Sequence, residues 1–347
     1  MMKISGINIG DGNPCFIIAE IGSNQMRSLE LSKKMIDMAA DAGVDAVKFQ
    51  TLKASDVSTM DTPANAYGDF DYTKGKNYWY EVLEDYVLPY EWHAELFDYA
   101  NSKKLIAFST PESKEALKLL EEIRCPLYKI SSTNITYFPL LKEIAKTGKP
   151  IILSAGIANM EQLFRSINFL KENGAGDIAL LHCISDYPPK EDDMMLEMIS
   201  YYKRVFDFPI GLSNHSDVNL YDGVAVALGA TIIEKHITLN KLSTGPDHHF
   251  ALDKTGLNDL VKTVKSVERS LKINQKLKGK INLKKELYSR SITLNKSMKA
   301  DQSISENDLD YRRPGTGISP MDYEKVIGLR VRKNLERNHL LDWSDFK

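Results

Sequence analysis

Eight short apolar runs alternate with longer segments of helical period, and this alternation constrains the fold more than any other feature of the chain. The runs are Phe16–Ile21, Val44–Phe49, Leu105–Ser109, Pro126–Ile130, Ile151–Ser154, Ile178–His182, Phe208–Leu212 and Thr231–His236. Amphipathic stretches between them, with apolar residues recurring every three or four positions, are Leu29–Ala42, Lys114–Glu121, Met160–Glu172 and Leu220–Leu228. Because the runs lack strict alternation, they are typical of parallel strands covered by helices.

Eight strand–helix units in about 260 residues match the count and length of a (β/α)8 barrel, a TIM barrel. We therefore predict an α/β fold in which residues 1–273 form the barrel, with a final helix ending near Leu271. A doubly wound open sheet is the alternative, but no GxGxxG motif follows the first run.

The chain beyond the eight units has a different character. Lys276–Lys285 holds five lysines in ten residues, which predicts an exposed linker over 274–286. Strand-like pieces then follow at Ser291–Asn295, Leu309–Arg313 and Leu329–Arg332, separated by turn residues. This pattern predicts a small β-rich domain over 287–347, which would gain stability by docking against something larger.

Charge and cysteine content exclude several classes of protein. The chain carries 45 basic against 47 acidic side chains, which argues against a protein that grips nucleic acid or an anionic membrane. No apolar run approaches the roughly 18 residues of a spanning helix, and Met1–Gly10 lacks a signal-peptide pattern. Cys15, Cys125 and Cys183 are too scattered for a disulfide framework, so we expect reduced, buried thiols in a cytoplasmic protein.

Polar or ionisable side chains stand at the end of each predicted strand. They are Glu20, Lys48 with Gln50, Ser109 with Thr110, Lys129, Ser154, His182, Ser213 with His215, and His236. In a (β/α)8 barrel the carboxyl ends of the strands converge on one mouth, where the chemistry takes place. The sequence therefore predicts an active site built from these residues.

Two of these side chains suggest a metal site. His215 and His236 follow neighbouring strands, which lie about 5 Å apart in a sheet. Two imidazoles at that spacing could hold one divalent cation and leave positions open for water or substrate. Glu20, Glu234 or Asp247 could complete or orient such a site. The alternative is a pair of hydrogen-bonded histidines lining a polar mouth.

Two other side chains suggest an anion site. Lys48 and Lys129 end otherwise apolar strands, where lysine is rare unless it is paired or liganded. Nearby hydroxyls are those of Thr110, Ser132, Ser154 and Ser213. This composition suits a phosphate or a carboxylate, and so predicts a small phosphorylated or carboxylated substrate. The alternative is that each lysine pairs with a barrel carboxylate such as Glu20.

Ordered motifs along nearly the whole chain resemble those of the sialic acid (nonulosonate) synthase family. The motifs are Ile17–Asn24, Ala46–Thr51, Phe108–Pro111, Tyr128–Ile130, Lys149–Ser154, Leu181–Cys183, Gly211–His215, Glu234–His236 and Gly245–Asp247. The tail Arg313–Gly317 is similar to that family's small antifreeze-like (SAF) domain, which is related to type III antifreeze protein.

The resemblance implies an enzyme that condenses phosphoenolpyruvate with an N-acylated amino sugar and releases phosphate. It implies Mn²⁺ or Mg²⁺ on His215 and His236, near Glu20 and Asp247, with the metal polarising the open-chain sugar aldehyde. It implies that phosphoenolpyruvate is held by Lys48, Gln50, Thr110, Lys129, Ser132, Ser154 and Ser213. Tyr187 would lie near the sugar, and Arg313 of the exchanged small domain in a homodimer would bind its acylamino group.

Several residues depart from the family pattern. Gln25, Glu112, Asn134, Ala155 and Asn214 stand in place of a histidine, phenylalanine, glutamate, threonine and aspartate, and relatives have a glycine near Arg27. We expect them to cluster at the mouth and to shift sugar specificity rather than weaken catalysis. Tyr90–His93 resembles the pseudaminic branch, whereas Gly317–Met321 resembles the neuraminic and legionaminic branches, so the sugar stays open.

Two other functions are compatible with the sequence. One is a related barrel that condenses phosphoenolpyruvate with a sugar phosphate, which would need an extra basic cluster for the second phosphate. The other is a binding relative without turnover, in which Gln25, Asn134 and Asn214 have removed catalysis while the cation and anion sites remain.

Overall fold

The computed structural model describes residues 1–68, 70–272 and 277–347, which form two compact units, Met1–Leu271 and Lys272–Lys347. The strands of the first unit are β1 (Met2–Ile4), β2 (Ile7–Ile9), β3 (Phe16–Glu20), β4 (Ala46–Thr51), β5 (Ile106–Pro111), β6 (Tyr128–Ile130), β7 (Ile151–Ser154), β8 (Ile178–Cys183), β9 (Ile210–Asn214) and β10 (Ile232–His236). Its helices are α1 (Leu29–Ala42), α2 (Ala54–Val57), α3 (Trp79–Glu84), α4 (His93–Ser102), α5 (Lys114–Glu122), α6 (Phe138–Lys146), α7 (Met160–Glu172), α8 (Glu197–Val205), α9 (Asn219–Ala227) and α10 (Lys254–Leu271).

Strands β3 to β10 close into a parallel barrel in chain order, with β10 paired to β3. The predicted (β/α)8 barrel is therefore confirmed, and closure excludes the open sheet. The strands are buried along almost their whole length because side chains fill the interior and helices cover the outside. This burial on both faces explains why the eight runs are continuously apolar.

Capping residues and an apolar face fix the bounds and the packing of the barrel helices, as α1 illustrates. The Ser28 side chain accepts a hydrogen bond from the Leu31 N–H and caps α1, and Gly43 ends it with a left-handed φ of 75°. The face of α1 that carries Met35, Ile36 and Ala39 is fully buried. The helix therefore begins, packs and ends where the sequence pattern predicts.

A short hairpin, which the sequence reading did not predict, precedes the barrel. Strands β1 and β2 pair in antiparallel register, and they bury Met2, Ile4 and Ile9 in the barrel core. The Lys3 N–H donates to Asp177, the residue before β8, which places the hairpin at the amino ends of the strands. Two strands of three residues are too short to show a period of two in the sequence.

The second unit contains α11 (Leu277–Tyr288), α12 (Tyr323–Val326) and the antiparallel pair β11 (Ser291–Leu294) and β12 (Leu309–Arg312). Its core includes Ile292, Leu294, Leu309, Val326, Val331 and Leu341. The predicted third strand, Leu329–Arg332, is wrong, because Arg330 and Val331 make only isolated bridges.

The segment predicted as a linker over 274–286 is largely helical. Residues 274–276 lie outside the described residues, and from Leu277 onward the chain forms α11. Exposed side chains such as Ile281 and Leu287 agree with the predicted solvation. Lysine, leucine and glutamate are good helix formers, so a lysine-rich exposed segment does not have to be irregular.

No helix in the described part of the chain combines the length and apolarity needed to cross a membrane.

Candidate active site

A cavity of about 320 Å³ opens at the carboxyl ends of the barrel strands. The predicted residues that line it are Glu20, Lys48, Gln50, Thr110, Lys129, Ser132, Ser154, Tyr187, Ser213, His215, His236 and Asp247. Glu112, Ser131, Cys183 and Glu234 line it as well. The strand-end residues therefore converge as barrel geometry requires.

Two lysine–glutamate pairs form the floor of the cavity. Lys48 Nζ lies 2.8 Å from Glu20 Oε2 and 3.9 Å from Glu234 Oε1. Lys129 Nζ lies 2.8 Å from Glu234 Oε1, which also accepts a hydrogen bond of 2.9 Å from Ser213 Oγ. All of these groups are buried. Each lysine therefore pairs with a barrel carboxylate, which is the arrangement that we named as the alternative to an anion site.

The pairing favours the ionised forms of Glu234 and Lys48. Burial alone raises the pKa of Glu234, but the ammonium groups of Lys129 and Lys48 outweigh it and hold that pKa well below its usual range. Burial lowers the pKa of Lys48, whereas Glu20 and Glu234 raise it to a net value above normal. Each ammonium has three N–H donors, so a lysine paired with one carboxylate can still bind a second anion.

Hydroxyl groups line the same cavity as the lysines. Ser154 Oγ is buried and has no hydrogen-bond partner among the described residues. Ser132 Oγ lies 3.1 Å from Ser185 Oγ, and a Cβ atom on Gly156 would come within 2.3 Å of it. A side chain at position 156 would therefore displace Ser132, and only glycine leaves the hydroxyls free to face the cavity.

Two histidines, His215 and His236, lie together in the same cavity. Their ring centroids are 5.3 Å apart, and Nδ1 of His215 donates to the Ile184 carbonyl at 2.7 Å. That bond leaves Nε2 of His215 unprotonated when the ring is neutral. Burial, with repulsion from His236, lowers the pKa of His215 to about 3, so the ring is neutral at pH 7.

Asp247 orients the second histidine. Its Oδ2 lies 3.4 Å from Nδ1 of His236 and accepts a hydrogen bond of 2.9 Å from Ser23 Oγ. Burial raises the pKa of Asp247, but His236 and Ser23 outweigh it and lower that pKa below normal. The carboxylate is therefore ionised, and the structure places it beside His236, as the sequence suggested.

The donor set fits a divalent metal on two imidazoles. Nδ1 of His236 faces Asp247 Oδ2 at 3.4 Å, and Nδ1 of His215 donates to the Ile184 carbonyl, so the Nε2 atoms of the two rings are the nitrogens left for a metal. In the described part of the chain, no three His, Cys, Asp or Glu side chains converge as metal ligands. Water and substrate oxygens would therefore have to complete the coordination. Imidazole nitrogens suit Mn²⁺ better than Mg²⁺, which prefers oxygen ligands.

Tyr187 covers the histidines. Its ring centroid lies 4.2 Å from that of His215 and 5.6 Å from that of Phe250, and the side chain is 48% exposed. The ring therefore shields one face of the imidazole pair while its edge remains available to a substrate in the mouth.

Two predicted strand-end residues face away from the cavity. Ser109 Oγ bonds to Thr51 Oγ1 at 2.6 Å, and Nε2 of His182 lies 2.8 Å from the Met194 carbonyl. Successive side chains on a strand point to opposite faces, so Thr110 and Cys183, one residue further on, line the cavity instead.

An insertion between β4 and α4 adds an aromatic and apolar wall that the sequence reading missed. Tyr72, Trp79, Val82, Leu83 and Tyr86 line the cavity from this segment. The only signal in the sequence was the unusual distance between the second and third apolar runs, together with the aromatic content of the segment between them.

Two of the departures from the family pattern hold this insertion in place. Gln25 Nε2 donates to the Tyr86 carbonyl at 2.5 Å, and Arg27 Nη1 donates to the Glu84 carbonyl at 2.6 Å. Glu84 ends α3, where unpaired carbonyls and the helix dipole favour a cation. Gln25 and Arg27 therefore position the wall rather than face the substrate.

Another departure lies in a buried network outside the cavity. Asn214 Nδ2 donates to both oxygens of Asp222 at 3.1 Å, and Asp222 pairs with Lys235 at 2.8 Å. Ala155 is also buried and does not line the cavity. The expectation that the departures cluster at the mouth is therefore wrong, because of the six only Glu112 lines the cavity, and Asn134 reaches it by contacting Glu112.

Restoring the family aspartate at position 214 should destabilise the barrel. Asn214→Asp would place a second carboxylate against Asp222 with one lysine to balance both, which we expect to lower the free energy of unfolding by about 2 kcal/mol at pH 7.5. Repulsion would raise the folded-state pKa of the introduced carboxyl group, so the loss of stability relative to wild type should become smaller as pH falls toward 5. Urea unfolding at pH 7.5 and at pH 5 measures the two free energies of unfolding, with the exposed Asn258→Asp as the control. Equal stability of Asn214→Asp and wild type at pH 7.5 would contradict the prediction.

Arg313 belongs to the second unit. Its side chain is exposed, and its guanidinium lies 5.4 Å from the centroid of the Tyr288 ring.

A closed parallel barrel with paired lysines and a histidine pair at its strand ends defines a (β/α)8-barrel enzyme. The NeuB family matches residues 35–276, and the SAF domain matches residues 289–347. The chain therefore belongs to the NeuB family and carries a C-terminal SAF domain. The match confirms the resemblance seen in the sequence motifs.

Individual relatives agree over nearly the whole chain. A pseudaminic acid synthase of Campylobacter jejuni is 35% identical, over 98% of this chain and 99% of that protein. An N,N'-diacetyllegionaminic acid synthase of the same species is also 35% identical, over 94% of this chain and 98% of that protein. The crystal structure of an N-acetylneuraminic acid synthetase from Leptospira borgpetersenii, with citrate, superimposes with a TM-score of 0.71 at 30% identity, covering 82% of this chain and 95% of that one.

Proposed function

We propose that this enzyme condenses phosphoenolpyruvate with the open-chain form of an N-acylated amino sugar, yielding a nonulosonic acid and phosphate. The observation that carries the proposal is the shared cavity, which the lysine–glutamate floor and the His215–His236 pair line together. The lysines suit an anionic donor, and the histidine pair suits a metal-assisted carbonyl acceptor. The names of the relatives from Campylobacter jejuni support the product class.

The donor would be held on the lysine side. Lys48 and Lys129 offer their remaining N–H donors to its phosphate and carboxylate, and Gln50, Thr110, Ser132 and Ser213 line the same region. The unpartnered hydroxyl of Ser154 gains a hydrogen-bond partner when an anion binds. Glu20 and Glu234 pair with the two lysines and limit their movement.

His215 and His236 would hold the divalent metal, Mn²⁺ or Mg²⁺, with Asp247 orienting His236. When bound, the metal would polarise the sugar carbonyl as a Lewis acid. Carbon 3 of the donor then forms the new carbon–carbon bond, water adds to carbon 2, and cleavage of the carbon–oxygen bond releases phosphate. Tyr187 shields the histidine side, and the lysines stabilise the negative charge on the departing phosphate.

The aromatic wall favours one kind of acceptor. Trp79, Val82 and Leu83 present apolar surface to the cavity, which suits acetamido methyl groups and a deoxy carbon better than a fully hydroxylated chain. We therefore favour a 2,4-diacetamido-2,4,6-trideoxyhexose over N-acetylmannosamine.

The first test is phosphate release from phosphoenolpyruvate with Mn²⁺ across a panel of sugars. We expect sugar-dependent release, with kcat/KM for a diacetamido-trideoxyhexose at least about tenfold above that for N-acetylmannosamine, since each buried methyl contact contributes about 1 kcal/mol. Mixtures without sugar and with EDTA are the controls. Binding of phosphoenolpyruvate without release for any sugar would contradict the proposal and favour the non-catalytic relative.

The sugar-phosphate alternative fits the cavity less well. Its described lining contains two lysines, both in the floor, and no arginine, so it offers no second cluster for another phosphate. Release that depends on a sugar phosphate but on no neutral sugar would nevertheless overturn our choice.

Our proposal also includes the partners that the resemblance implies. The enzyme would act as a homodimer with exchanged second units, in which the exposed Arg313 binds the acylamino group of the sugar. A reaction that consumes phosphoenolpyruvate places the enzyme in the cytoplasm, where that metabolite is made.

A further inference from the structure

Glu112 lines the cavity, but the proposed reaction gives it no role. It follows β5 directly, and its N–H donates to the Thr51 carbonyl at 3.1 Å, which extends the pairing of β4 with β5 by one residue. The backbone at this position is therefore fixed by the barrel, and the carboxylate is presented from a rigid support.

Two neutral groups hold this carboxylate. Asn134 Nδ2 donates to Oε2 at 2.5 Å, and Ser131 Oγ donates to Oε1 at 3.4 Å. Among the described residues, no lysine, arginine or histidine lies within 4.0 Å of Glu112, unlike Glu20 and Glu234 in the floor. A carboxylate accepts about four hydrogen bonds, so both oxygens can accept further donors from a ligand.

The described lining of the cavity contains two lysines, Lys48 and Lys129, each paired with a glutamate of the floor. Glu112 adds a further carboxylate that belongs to neither pair. An anionic donor is attracted to the lysines and repelled by Glu112, and a second anion on the acceptor would meet the same repulsion.

We infer that Glu112 determines acceptor specificity: held by Asn134 and Ser131, it accepts hydrogen bonds from hydroxyl or amide groups of an uncharged sugar and disfavours phosphorylated acceptors. This inference rests on the proposed function, since it assigns Glu112 to the acceptor of that reaction. In this assignment Asn134 orients the Glu112 carboxylate.

Its titration provides an additional readout. Burial raises the pKa of Glu112 to about 6, against the lowering effects of Asn134, Lys48 and Ser131, while Asp56 raises it further. The ionised form accepts hydrogen bonds above that pKa, and protonation removes it as pH falls. We therefore expect the KM for the sugar to rise below pH of about 6 in wild type and to lose this dependence in Glu112→Gln.

Steady-state kinetics of Glu112→Gln test the inference. We expect the KM for the neutral sugar to rise about tenfold, as for one charge-assisted hydrogen bond, while the KM for phosphoenolpyruvate changes less than about twofold. The ratio of kcat/KM for N-acetylmannosamine 6-phosphate to that for N-acetylmannosamine should rise about tenfold. Glu122→Gln, the same change at an exposed glutamate of α5, should match wild type.

A second variant separates the effect of the sugar's hydrogen bond to Glu112 from the effect of the negative charge. Glu112→Asp keeps the negative charge but withdraws it by one methylene, so the sugar KM should rise while phosphorylated acceptors stay excluded. An unchanged sugar KM in Glu112→Gln, or equal changes in the KM values of both substrates, would overturn the inference.

Calorimetric titration with the neutral sugars, with phosphoenolpyruvate present and the metal omitted, separates this inference from the proposed function. Binding that weakens in Glu112→Gln supports the inference even if wild type releases no phosphate. Turnover by wild type with equal sugar binding by both proteins refutes the inference alone, and absence of sugar binding by wild type refutes both.

Discussion

A His236→Ala variant should fold normally and bind phosphoenolpyruvate, yet lose sugar-dependent phosphate release by at least about a hundredfold. The reason is that His236 is one of two imidazoles whose ring centroids are 5.3 Å apart, and Asp247 lies 3.4 Å from its Nδ1 and leaves Nε2 for a metal. Removing it leaves one protein nitrogen for the proposed metal. Phosphate release at saturating Mn²⁺, with bound metal counted after gel filtration, measures the effect.

The matched control is His249→Ala, a histidine that is exposed in the loop after β10. It should retain metal binding, and its thermal unfolding should match that of wild type and His236→Ala. Undiminished turnover by metal-free His236→Ala would show that the histidine pair does not act through a metal.

Lys129→Met should lose both stability and donor binding. Glu234 is buried and accepts from Lys129 at 2.8 Å, with Lys48 further away at 3.9 Å, so the substitution leaves a poorly compensated charge in the floor. We expect a decrease of about 3 kcal/mol in the free energy of unfolding and at least about a hundredfold increase in the KM for phosphoenolpyruvate. Urea unfolding and phosphate-release kinetics measure the two effects.

The double variant Lys129→Met/Glu234→Gln distinguishes the effect on stability from the effect on donor binding. Without the buried carboxylate most of the lost stability should return, since the introduced amide can still accept from Ser213, but the KM for phosphoenolpyruvate should stay high. A double variant that recovers both would mean that Lys129 serves only to balance Glu234, as the alternative to an anion site holds.

Much of the fold could be predicted because local patterns and tertiary burial agree. Met160–Glu172 and Ile151–Ser154 have the predicted bounds in the structure, since one is a regular amphipathic period and the other a continuous apolar run. The hairpin of β1 and β2 was missed because it is too short to show a period. Helix α11 was missed because its lysine-rich segment was interpreted as a solvated linker, and its described apolar residues Ile281 and Leu287 are indeed exposed.

The site was only partly predictable. Lys48, Lys129, His215 and His236 were found because they interrupt or end apolar strands, which is visible along the chain. The contact between Glu112 and Asn134 was not visible, since 22 residues and a complete helix separate the two positions. Each appeared in the sequence as a separate departure, and only the fold joins them into one carboxylate–amide pair.

The sequence by itself determined the barrel, the appended small domain and the polar residues at the strand ends, because these follow from periodicity and order along the chain. Only the tertiary structure decided which departures matter for the substrate. Asn214 donates to the buried Asp222 and Gln25 holds a loop, whereas Glu112 faces the cavity. The physical reason is that a side chain's role depends on which charges and donors surround it, and those neighbours are brought together from distant parts of the chain by folding.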